Sequence, residues 1–155
     1  MQYFPFIHAA FHWIVVSRNY FVVVSFSISN EVYREIFLSE EILSLRPSSG
    51  DIGLSVLGGM LCVHSNSVLL GKTTFKVWIL KEFGVKESWM PLLTIVKDTC
   101  LFNASPKYRF ADGEVLFRCI DFESRGHAFR MVSGPFKSWP QCDTIQSGHM
   151  LLQKI

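Results

Sequence analysis

Apolar residues along the chain fall in short runs separated by turn-forming residues, and few stretches carry the three-to-four spacing of a helix. Phe11–Val16 is followed by Ser17-Arg18-Asn19 and then Tyr20–Ile28, two β-branched and aromatic runs around a polar turn, which predicts a hairpin. Ser29-Asn30-Glu31 marks the next turn, before Val32–Leu38. In that run Val32, Arg34, Ile36 and Leu38 share one face and Tyr33, Glu35 and Phe37 the other, so alternation is only partial. Ser44 to Asp51, with Arg46-Pro47-Ser48-Ser49-Gly50 inside it, reads as a loop. Leu54–Leu57 and Met60–His64 are expected to pair across Gly58-Gly59, since two glycines readily supply the positive φ values of a two-residue turn. Phe75–Leu80 and Trp89–Val96 form the clearest predicted hairpin, joined by the charged connection Lys81–Ser88. Pro91 has no N–H for a ladder and belongs at a bulge or on an edge. A last unit runs from Tyr108–Phe110 through Asp112-Gly113 to Glu114–Ile120, and His127–Val132 returns after the turn Glu123–Gly126.

Turns at Asn19, Gly58-Gly59 and Asp112-Gly113 recur at about 40–55 residues, the range of propeller blades. Each interval holds three or four short strands, one blade's worth. The expected fold class is therefore all-β, a partial, open β-propeller-like array of antiparallel sheets. Three units make an arc and not a ring.

Composition agrees with strands. Fourteen Phe, four Trp and four Tyr accompany many Val and Ile. The 155 residues suffice for one domain with a core, and the whole of 1–155 reads as that domain. With 49% apolar residues, either the core is well filled or some surface expects a partner. The net charge is +2 and no run of five like charges appears, so the gathered basic stripe of a nucleic-acid binder is not expected. Cys62, Cys100, Cys119 and Cys142 are widely spaced, as buried thiols in a reducing compartment are. The N-terminal stretch lacks a basic leader, and Phe11–Ile28 carries Arg18 and Asn19 mid-run, a poor membrane span. Without a secretory signal the sequon Asn103-Ala104-Ser105 stays unused. The expected setting is cytoplasmic, nuclear or both, with no nucleic acid and no membrane as partner.

Val77-Trp78-Ile79-Leu80-Lys81-Glu82-Phe83-Gly84-Val85-Lys86-Glu87-Ser88-Trp89, ending Leu92-Leu93-Thr94-Ile95, resembles the most recognisable stretch of the F-box-associated domain of plant F-box proteins, including those of S-locus type. Ser25–Glu31 with Glu35–Leu38, and Ser55–Cys62, are similar to two further family segments, and Gly134-Pro135-Phe136 with Trp139-Pro140 to its C-terminal end. The resemblance spans about residues 11–145. It implies a substrate-recognition domain of a Skp–cullin–F-box ubiquitin ligase subunit, acting in ubiquitin-dependent degradation by tethering a target protein. No leucine-rich helical segment of F-box type is present, so the chain reads as truncated at its N-terminus. A Skp adaptor is expected as partner only if an F-box is supplied. The alternative is a stand-alone β scaffold, or a remnant, with no ubiquitin link.

No catalytic, cofactor or metal set emerges from the residues. Gly71-Lys72-Thr73 ends like a phosphate-binding loop, but Asn66 stands where the first glycine belongs and no helix follows. Cys62 and His64 share a strand face without a second ligand pair. Asp112, Glu114, Asp121 and Glu123 read as turn and solvent-facing residues. Trp78 and Trp89 are expected in the core, and the connection between them as a solvated tip. Contacts to a partner are expected from the loops Arg46–Gly50, Gly71–Thr74 and Glu123–His127, through Arg46, Ser48, Lys72, Arg125 and His127.

Overall fold

The computed structural model describes residues 4–17, 19–45, 50–98, 103–120, 126–132 and 137–138. It is all-β, as expected, and its sheets are three open meanders. The first holds β1 (Phe6–Ile7), β2 (Ala10–Val16), β3 (Phe21–Ser27) and β4 (Val32–Ile36), in that order. The central sheet holds β5 (Gly50–Leu57), β6 (Met60–Leu69), β7 (Lys72–Leu80) and β8 (Trp89–Asp98). The third holds β9 (Asn103–Arg109), β10 (Glu114–Ile120) and β11 (Gly126–Val132). Every pairing among these is antiparallel, and the short β12 (Lys137–Ser138) adds to β8 in parallel. A single-turn helix α1 (Glu40–Leu43), capped by the Ser39 side chain, links the first sheet to the central one.

The strands of the central sheet are apolar on both faces, and each face meets a different neighbour. Toward the third sheet lie Leu57, Cys62, Phe75, Val77, Ile79, Leu93 and Ile95, packed on Ala104, Val115 and Phe117. Toward the first lie Leu61, Val63, Trp78, Leu80 and Trp89, packed on Phe21, Val23, Ile36, Leu38 and Ile42. Successive residues of β7 thus enter different cores, as a period of two dictates. Leu38 and Ile42 come from the link, so the first sheet is bound to the centre by its own exit segment.

Several expectations are sharpened. Val32–Leu38 stops as a strand at Ile36, because Leu38 turns in to the core. The presumed loop Ser44–Asp51 already joins β5 at Gly50. The Gly58-Gly59 turn has φ of 55° and 74°, as anticipated. Pro91 sits at a bulge, where the register shifts between Val77 and Trp78. The Asp112-Gly113 turn is closed by Asp112 Oδ1 accepting from the Glu114 N–H at 3.0 Å.

Asn66 fastens the third sheet to the central one. Its Nδ2 donates to the Ala104 carbonyl and its Oδ1 accepts from the Ala104 N–H, both at 3.0 Å and buried. One side chain thereby acts as a one-residue strand between two sheets. Asn66→Ala leaves both Ala104 groups unpaired in an apolar setting and should cost about 2–4 kcal/mol, read as a lowered urea midpoint at unchanged slope.

Candidate functional site

The strand registers bring the described flanks of all three expected contact loops to one end of the stack. Gly50, which follows the first loop, pairs with Ser67, and Lys72 pairs with Leu69 across the β6–β7 turn. Asn66, one residue from Ser67, holds Ala104, whose ladder continues through Cys119 to His127. Lys72 is exposed there. Arg46, Ser48 and Arg125 lie outside the described residues, as does the His127 side chain. The second loop is tighter than expected: only Leu70-Gly71 form the turn, and Lys72, Thr73 and Thr74 belong to β7.

That turn holds a residue which the loop-based reading missed. Leu70 has φ of 51° and is 94% exposed. A left-handed conformation costs a non-glycine residue roughly 1–2 kcal/mol, and asparagine or glycine is the usual occupant. A branched apolar side chain here is strained and solvated at once, with Val68 also exposed nearby on β6. The sequence signal was a Leu-Gly pair between strands, hidden because the Val68-Leu69-Leu70 run reads as strand interior.

The opposite end is built inward. Trp78 and Trp89 are buried, as expected, and their indole N–H groups are satisfied within the chain. Trp89 Nε1 donates to the Phe37 carbonyl at 2.9 Å, and Trp78 Nε1 to Glu41 Oε2 at 3.1 Å. Glu41 Oε1 also accepts from Lys76 Nζ at 3.4 Å, while Lys86 Nζ reaches Glu40 at 2.6 Å. The tip 81–88 is only partly the solvated turn anticipated: Phe83 lies 4.8 Å from the His8 ring and 5.7 Å from His12. The hairpin therefore clamps the first sheet and α1 from two sides.

Cys62 and His64 do share a face, that toward the third sheet, and both are buried. Burial pushes the Cys62 thiol up, away from the thiolate. His64 lies over Gly53 on the neighbouring strand, where an added Cβ would come 2.5 Å from its ring. Its Nδ1 is buried without a hydrogen-bond partner. Burial first, then the charge of Lys107, lowers its pKa to about 4. His12 shifts down as well, chiefly by burial, against a backbone hydrogen bond to Ile7. Among the described residues no three His, Cys, Asp or Glu side chains gather as a metal site. No described helix is long and apolar enough to cross a membrane.

Two outcomes follow from this geometry. Trp78→Phe and Glu41→Ala should each destabilise, and in a double-mutant cycle they should couple by about 1 kcal/mol, because either change removes the same hydrogen bond. Neutral His64 is preferred by the fold, so the unfolded chain takes up its proton first. Stability is fully present above the ordinary pKa of 6.5 and falls as pH drops toward about 4. The loss approaches about 1.4 kcal/mol per pH unit, and His64→Leu should flatten that slope in denaturant titrations across the window.

The chain matches no model of a known protein family, and no curated protein matches it significantly.

Proposed function

We propose that the chain is a non-catalytic protein-interaction domain, of the kind that selects the target protein of a Skp–cullin–F-box ubiquitin ligase. The observation that carries the interaction reading is Leu70: an apolar side chain held fully in solvent by a strained turn, at the end where the flanks of the three candidate loops converge. Strain retained at an exposed position is a cost without any return inside the fold, and such positions cluster where a molecule meets something else. Lys72, two residues on, adds an exposed cation to the same end. The ligase part of the reading is supported by likeness to the F-box-associated domain, carried by Val77–Ile95 and, beside it, Ser25–Glu31, Glu35–Leu38 and Ser55–Cys62.

The mechanism is tethering. A rigid three-sheet stack presents one end, an exposed leucine supplies apolar contact, and neighbouring polar groups set orientation. Chemistry on the bound target belongs to other subunits, reached through an F-box.

Leu70→Asn separates the two roles of that residue. It should stabilise the domain by roughly 1 kcal/mol, by relieving the left-handed leucine, while weakening capture of the target. The check is a thermal melt beside an affinity pull-down from plant extract, with the captured proteins identified. A variant that is more stable and captures the same proteins equally well refutes the assigned surface. For the ligase reading, the chain joined in frame behind an F-box should assemble with a Skp adaptor and increase ubiquitination of the captured protein. Assembly without that increase sinks it.

A further inference from the structure

The outer face of the first sheet is aromatic where a solvent-facing sheet should be polar. Register aligns Phe6, Phe11, Phe26 and Tyr33 in one row across all four strands. Their rings are in contact at the two margins, 4.9 Å for Phe6–Phe11 and 4.6 Å for Phe26–Tyr33. Trp13 stands beside this row, edge-on to Phe4 and to Tyr33 at 6.1 Å each, and pairs with Val24 on β3. Val15 and Val22 continue the patch. Among the described residues of these four strands, only Glu35, on the edge strand β4, brings a charge to it. The outer face of the third sheet is mixed by comparison, with Arg118 opposite Ser105 and Leu116 opposite Tyr108.

We infer that this face is a self-association surface, and that its occupant is the same face of a second copy of the chain. Area is the first argument. Aromatic side chains of about 200 Å² each, at the exposures of Phe4, Phe6, Phe11 and Tyr33 and with the half-buried remainder, present on the order of 650 Å². Two such faces bury about 1,300 Å², inside the range of specific stable interfaces. Shape is the second. A flat apolar sheet face is covered best by another one, about 10 Å away, and that is how both interfaces within this chain are made. The chain itself supplies such a face at equal concentration. Charge is the third: the patch offers no cluster that would recruit a charged partner, and a two-fold arrangement keeps the two Glu35 side chains on edge strands at the rim. The dimer does not involve Leu70, so it stands apart from the proposed target contact.

Sedimentation equilibrium of the full chain from about 1 to 100 µM tests the inference. The chain should run at twice its monomer mass, and Tyr33→Lys or Phe11→Lys should raise the dissociation constant at least about tenfold. Both positions are exposed, and unchanged near-ultraviolet circular dichroism verifies that the variants fold. Val68→Lys, an exposed valine on the central sheet, should leave the dimer intact and so exclude general stickiness. A monomer throughout the range overturns the inference. So does an oligomer indifferent to Tyr33→Lys and Phe11→Lys, or a face that becomes protected from hydrogen exchange only when a different protein is added.

Discussion

Everything in this fold depends on the central sheet being apolar on both sides. Strand β7 shows the constraint most directly, with Phe75, Val77 and Ile79 entering one core while Trp78 and Leu80 enter the other. A sheet that is apolar on both faces cannot exist alone in water. It has to be covered twice, so the first and third sheets are requirements of the centre and not additions to it. The sequence meets that requirement most fully in β7 and β8, where Phe75–Leu80 is apolar except for Lys76 and Trp89–Val96 except for Thr94.

Two sheets stacked by apolar contact alone are free to slide, and polar clips remove that freedom. On one side the Asn66 amide pairs both backbone groups of Ala104. On the other, the two indole N–H groups hold Phe37 and Glu41, which belong to the segment leaving the first sheet. Each clip joins residues more than thirty positions apart in sequence. His64 runs the other way: with its Nδ1 unpaired it contributes volume over Gly53 and costs stability in acid. Gly53 and His64 fit each other as a bare strand position beneath a ring.

The strands were legible because their signals are local. Gly58-Gly59, Asp112-Gly113 and Pro91 each dictate backbone geometry within a few residues, and they stand where such chemistry puts them. Helix α1 was not legible, since four residues carry no period; it exists because Ser39 caps it and Ile42 is drawn into the core. The packing of Phe83 on His8 and His12 was hidden for a related reason. A charged connection reads as solvated unless the sheet opposite is known, and that sheet lies about seventy residues earlier. Of the candidate contact residues the sequence indicated loops, but it could not say that their flanks share an end, which is a matter of register. Leu70 was missed because an apolar residue beside strands is assumed to be buried.

The aromatic outer face and the strained leucine are different departures from the same rule, that exposed positions are polar and relaxed. The face breaks the rule across four strands whose ladders run without a register shift, so there the departure lies in the choice of side chains. Leu70 breaks it at one position, with backbone and side chain both unfavourable. An extended regular surface suits a flat, symmetric cover, whereas a lone projecting side chain suits insertion into a pocket. The two features lie on different sheets, and each can be altered while the other is left intact.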